Sequence, residues 1–161
     1  MRYVVPVLGT GRQADARGRT GVSDILHQLG YAAAYGGVGL VLLLLGVVLV
    51  DVLTPGELRR QIWIERNRNA AVVLSSALLS VGAIVFTAVI STYQEFGKGL
   101  AAAAVFGLFG LLLMAVSFWV LDLVTPGRLG ELLVDPEPHP AVWVTAATNL
   151  AVAAIVSAAI Y

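Results

Sequence analysis

No charged residue occurs between Asp24 and Asp51. About 20 consecutive apolar residues are enough to cross the ~30 Å of hydrocarbon in a bilayer, so this run predicts a transmembrane helix over residues 31–52. Three further runs, at 69–93, 100–123 and 141–161, have the same character. Lipid offers backbone amides no partners, so only helices and closed barrels span it. Runs this long, in a chain that is 58% apolar and 12% charged, predict an all-α integral membrane protein with four transmembrane helices.

The end of the first run is written twice. Asp51-Val52-Leu53-Thr54-Pro55-Gly56-Glu57-Leu58 returns as Asp122-Leu123-Val124-Thr125-Pro126-Gly127-Arg128-Leu129. The offset is about 71 residues, without a gap, and roughly a third of the positions from Asp51 to Ile90 match their partners. Two spans per copy return the chain to its starting side. The sequence therefore predicts two tandem parallel two-helix repeats, related by an axis along the membrane normal. The expected organisation is a mobile polar tail at 1–22, a first repeat at 23–93 and a second at 94–161.

Within the first copy, Thr54-Pro55-Gly56-Glu57 has the form of a capping box, with threonine accepting from the backbone and Glu57 reaching back. It predicts an interfacial helix over 55–68, with Leu58, Ile62 and Trp63 on its apolar side and Arg59, Arg60, Arg66 and Arg68 in headgroups or water. In the second copy Arg128 replaces Glu57, so the box is lost there. Asp135-Pro136-Glu137-Pro138-His139-Pro140 then forbids a continuing helix. Upstream, Ser23-Asp24 is positioned to cap the first membrane helix, with Tyr31 and Tyr35 as interfacial anchors. Residues 94–99 form the expected turn on the opposite side of the membrane.

Lipid tails provide no hydrophobic drive between helices, so close backbone approach must hold a membrane bundle together. Gly36, Gly39 and Gly46 line one face of the first span, and Gly107, Gly110 and Ser117 repeat it on the third. Ser76, Ser80, Ala83 and Thr87 form a small stripe on the second span, repeated as Ala147, Ala151, Ala154 and Ala158 on the fourth. These stripes predict a tight four-helix bundle. A wet pathway lined by Ser76, Ser80 and Thr87 is the alternative, disfavoured because their counterparts are all alanine.

Asp51 and Asp122 are the acids at span ends. Two symmetry-matched carboxylates can bind a cation or relay protons. The preferred reading is structural: each accepts hydrogen bonds from the turn that follows, or pairs with Arg59 or Arg128. Thr54 and Thr125 share these turns. Asn149 is the one amide deep inside a span, and an interhelical hydrogen bond is its ordinary role, with substrate contact the rarer one. Asn69, at the mouth of the second span, is read as a helix cap.

Other chemistry finds little support. Charge is balanced, against a nucleic-acid binder, and the chain has no cysteine, which removes disulfides and thiolate sites. His27 and His139 lack partners at ligand spacing, no serine has a nucleophile elbow, and Gly9-Thr10-Gly11 lacks the rest of a dinucleotide fingerprint. No enzyme activity, cofactor or metal is expected. Arginines near the spans favour the Thr-Pro-Gly loops in the cytoplasm and both termini outside.

The repeated Asp-x-x-Thr-Pro turns and Asn69-Ala70-Ala71 resemble a bacterial inner-membrane family, domain of unknown function 350. The likeness covers about residues 31–161, with Asp51, Thr54, Pro55, Asn69 and Ala70 on the family's pattern. In that pattern a glycine precedes the asparagine, where this chain has Arg68. The resemblance implies a small four-span protein of the bacterial plasma membrane and carries over no catalytic residues. Two functions are expected to compete. One is a non-enzymatic membrane component acting through lipid, a protein partner or a second copy of itself. The other is a small ion or solute channel or transporter.

Overall fold

The computed structural model describes residues 12–91 and 96–161, with side chains from residue 21 onward. Six helices account for these residues: α1 (Arg12–Leu53), α2 (Leu58–Trp63), α3 (Arg68–Ser91), α4 (Phe96–Val124), α5 (Leu129–Leu133) and α6 (Ala141–Ile160). Four of them contain segments long and apolar enough to cross a membrane: Gly21–Leu53, Arg68–Ser91, Phe96–Val124 and Ala141–Ile160. The protein is an all-helical membrane protein in its described residues, as the unbroken apolar runs require.

The chain partitions into two units, Met1–Ala34 and Tyr35–Tyr161. In the first, residues 12–34 are helical and those with described side chains are exposed, except half-buried Ala34. There the His27 ring Nδ1 lies 2.8 Å from the Ser23 carbonyl, one helical turn back. The helix therefore begins eleven residues before the expected Ser23-Asp24 cap, and residues 12–22 of the expected tail are its first turns. Residues 1–11, including Gly9-Thr10-Gly11, lie outside the described residues.

The second unit holds the bundle. One apolar cluster joins Leu42, Val81, Ile84, Leu111, Met114, Val152, Ala153 and Val156 from all four long helices. A second joins Val50, Leu58, Val73, Leu129, Leu133 and Val142, and so ties α2 and α5 to the ends of α1, α3 and α6. Outward-facing Val41, Leu112 and Phe86 are 56%, 59% and 65% exposed, the inverse of a soluble protein and the state expected when lipid is the solvent. At the opposite end, Tyr35 donates its hydroxyl to the Phe96 carbonyl at 3.3 Å, and the two rings meet edge to face, 5.5 Å apart. Tyr35 is thus engaged within the protein. Phe96 to Gly99, expected in a turn, already form the first turn of α4.

Small residues do serve close packing, at some of the positions the sequence pattern placed them and not at others. A side chain at Gly107 would strike Leu42 of α1, and one at Gly110 would strike Ile84 of α3. Each glycine is a socket for one knob. Their counterparts differ: Gly36 faces open space, Gly39 is only in ordinary contact range of Val85, and Gly46 lies against Val81. On α3, Ser76 and Ser80 are buried as expected, but Ala83 is exposed. On α6 the expected stripe is wrong throughout, since Ala147, Ala151, Ala154 and Ala158 are all exposed. The face that α6 buries is Val142, Thr145, Ala146, Asn149, Val152, Ala153 and Val156. Three-residue and four-residue steps alternate along both faces of this alanine-rich helix, so spacing alone does not choose between them.

Candidate functional site: the turn layer and the polar core beneath it

The two Thr-Pro-Gly turns carry the same hydrogen bonds. Asp51 Oδ1 accepts from the Leu58 amide at 2.8 Å, and Asp122 Oδ1 accepts from the Leu129 amide at 2.6 Å. Thr54 Oγ1 donates to the Val50 carbonyl and Thr125 Oγ1 to the Leu121 carbonyl, both at 2.7 Å. Gly56 and Gly127 both have positive φ, +95° and +104°, a conformation that glycine adopts without steric cost. The first amides of a helix have no intrahelical partner. In both copies the aspartate seven residues back supplies one, and its charge suits the helix start.

These bonds correct the expected capping box. Thr54 donates rather than accepts, Glu57 makes no side-chain cap, and the helix after it starts at Leu58, three residues later than expected, and ends at Trp63. The second copy keeps its short helix, α5, despite losing the glutamate, because the cap was never the glutamate's to make. Among the described residues two arginines pair with glutamates rather than with the aspartates: Arg60 with Glu65 at 3.1 Å and Arg128 with Glu131 at 3.6 Å. We expect Asp51→Ala and Asp122→Ala each to cost about 1 kcal/mol, read as a lowered thermal midpoint in detergent. Asp51→Asn, which keeps an acceptor, should recover most of the loss.

The start of α5 meets the first Thr-Pro-Gly turn at Gly130. A side chain there would meet the Leu53 carbonyl and Pro55 at 3.0 Å, so α5 can lie on the first turn only because position 130 is bare. The repeat-equivalent residue, Arg59, projects outward and is exposed.

Between α2 and α3, Arg66 adopts φ 55°, a left-handed conformation uncommon for a residue with a side chain. The Asn67 amide returns to the Gln61 carbonyl at 2.9 Å, so Arg66 occupies the position past a helix end that glycine usually fills. Arg66→Gly should therefore stabilise the protein, by up to about 1 kcal/mol; a lowered thermal midpoint would contradict this reading of the turn. The glycine-type position thus precedes Asn67 rather than Asn69.

Asn67 and Asn69 tie the start of α3 to the proline loop before α6. Asn67 Oδ1 accepts from the Ala70 amide at 3.2 Å and so caps α3, the role expected of Asn69. Its Nδ2 donates to the Val134 carbonyl at 2.6 Å. Asn69 Nδ2 donates to the carbonyls of Asp135 and Glu137, at 2.9 and 2.7 Å. Prolines at 136, 138 and 140 contribute no N–H to their own loop, and its carbonyls need donors from elsewhere. The two asparagines at the start of α3 provide them. Asn67 was missed in the sequence; the signal was there, because Asn67 and Asn69 stand opposite Pro138 and Pro140 in the repeat register.

Below this layer, Asn149 Nδ2 donates to Ser76 Oγ at 3.1 Å, with both residues buried. Ser76 Oγ donates to the Val73 carbonyl and Ser80 Oγ to the Ser76 carbonyl, at 2.8 and 2.7 Å. The expected interhelical bond of Asn149 is therefore present, on α3. Asn149, Thr145 and Thr54 also line a cavity of about 20 Å³ where the four long helices converge. That is room for one water. Among the described residues no cluster of His, Asp or Glu has the arrangement of a metal site.

Four apolar helices, joined by a buried asparagine–serine hydrogen bond and followed in each Thr-Pro-Gly turn by a short helix, define a multi-pass membrane protein. The chain belongs to the family Domain of Unknown Function (DUF350), which matches residues 24–160. It is 36% identical over 126 residues to a UPF0719 transmembrane protein of Mycolicibacterium paratuberculosis, covering 78% of this chain and 83% of the relative. UPF0719 transmembrane proteins of Mycobacterium bovis and Mycobacterium tuberculosis are each 34% identical over 143 residues, covering 89% of this chain and 94% of theirs. No solved structure matches.

Proposed function

We propose that this protein is a non-enzymatic component of the bacterial plasma membrane that works through the outer face of α2, in contact with anionic lipid headgroups. The observation that carries the reading is the make-up of that face. Arg59 and Arg60 stand beside Trp63 and Ile64, which are 79% and 74% exposed, and the four line one shallow depression with Glu57. Arginine beside a bare tryptophan and isoleucine suits the boundary between headgroups and acyl chains. Arg59, Arg66 and Arg68 have no carboxylate partner among the described residues, which leaves their charge available to lipid phosphates. The same arginines favour the Thr-Pro-Gly turns on the cytoplasmic side, where anionic lipid and the positive-inside bias coincide.

The competing reading is a small channel, and the cavity under Asn149 is the observation in its favour. Its size suits a single water, and Leu42, Val81, Ile84 and Val156 pack together elsewhere in the bundle core. Reconstitution separates the two readings. Proteoliposomes of the full chain should show no K+, Na+ or H+ flux above protein-free vesicles. Flux that Asn149→Leu abolishes would overturn the non-channel reading.

A further inference from the structure

We propose that α2 and the groove between α1 and α3 form one binding site for a single anionic phospholipid. The inference rests on the lipid-contact reading above and adds to it a seat for one acyl chain.

The groove is lined by Leu43, Leu44 and Val47 of α1 and by Leu78, Gly82 and Phe86 of α3, with a volume of about 620 Å³. Nothing lies within 4 Å of where a side chain at Gly82 would begin. The bare glycine between Leu79 and Phe86 makes the helix pair concave there. The lining contains no polar side chain, so a protein helix docked there would gain no interhelical hydrogen bond, whereas an acyl chain needs none.

Chain connectivity joins groove and headgroup site. α2 lies in the segment between the last residue of α1, Leu53, and the first of α3, Arg68. The groove that these helices flank therefore runs into the bilayer from the α2 end. Along α1, Val47 is about 9 Å from Leu53, and along α3, Leu78 is about 15 Å from Arg68. One leaflet of hydrocarbon is about 15 Å deep, so a phosphate held by Arg59, with Arg60 shared between it and Glu65, places its acyl chain within reach of Val47 and Leu78. Charge complementarity selects an anionic headgroup, and the groove selects a chain.

The test is native mass spectrometry of the full chain, released from micelles containing equimolar phosphatidylglycerol and phosphatidylcholine. The wild type should retain one phosphatidylglycerol in preference. Replacing both arginines (Arg59→Gln with Arg60→Gln) should lower that preference about 25-fold, about fivefold for each charge. Gly82→Phe, placed in open space, should lower retention of either lipid about tenfold, the loss of roughly two buried methylenes, and leave the headgroup preference unchanged. Leu79→Trp, on the exposed surface of the same groove, is the second obstruction and should act alike. If the arginine pair abolishes the preference while both obstructions leave retention intact, the joint site is overturned and headgroup contact by α2 stands. A wild type without preference between the two lipids overturns both readings.

Discussion

Gly110→Leu is expected to unseat Ile84 and destabilise the bundle by about 3 kcal/mol, the upper part of the usual range for overpacking a core. Ile84 is fully buried and its terminal methyl occupies the volume that a side chain at 110 would need. Gly107→Leu should do the same to Leu42 and loosen α1 from α4. The informative control is Gly36→Leu, at the position equivalent to Gly107 in the repeat register. Gly36 faces open space, so that variant should keep the wild-type thermal midpoint and remain monodisperse in detergent. Equal sensitivity at Gly36 and Gly107 would mean that both copies pack alike, which the geometry denies.

The second large effect is expected at the asparagine clasp. Replacing Asn67 and Asn69 together with alanine removes the donors that hold the Val134, Asp135 and Glu137 carbonyls. It also removes the cap on α3. Net hydrogen bonds contribute about 1 kcal/mol each, so losing these four should cost about 2–4 kcal/mol. Hydrogen exchange should rise at the start of α6, which the clasped loop leads into. Asn69→Asp distinguishes hydrogen bonding from packing: it has the same shape but places a carboxylate against two carbonyls. It should be at least as damaging as Asn69→Ala, and a benign Asn69→Asp would refute the clasp.

The spans were legible in the sequence because long apolar runs admit one solution in lipid. The turns were half legible. Repetition of Asp51 and Asp122 marked both aspartates as partners of the following turn, but the Thr-x-x-Glu pattern drew the cap to the wrong residues. Asp51 reaches Leu58 only because Gly56 takes positive φ, and spacing alone does not reveal that path. Packing faces were the least legible. A helix such as α6, with alanine on several sides, offers more than one smooth face, and which is buried depends on where Ser76 and Asn149 meet. The assumption that equivalent glycines do equivalent work failed for a related reason. Gly107 and Gly110 are sockets because Leu42 and Ile84 arrive there, and no matching knob arrives at Gly36.

α6 faces α3 through Asn149 and not through its alanine stripe. The chain has no cysteine, so engineered pairs report without background. Ser76→Cys combined with Asn149→Cys should form a disulfide on mild oxidation in membranes. Ser76→Cys combined with Ala147→Cys, the equivalent position in the repeat, should remain reduced. Cross-linking of the second pair and not the first would mean that α6 turns its alanine stripe toward α3, contradicting the Asn149–Ser76 contact.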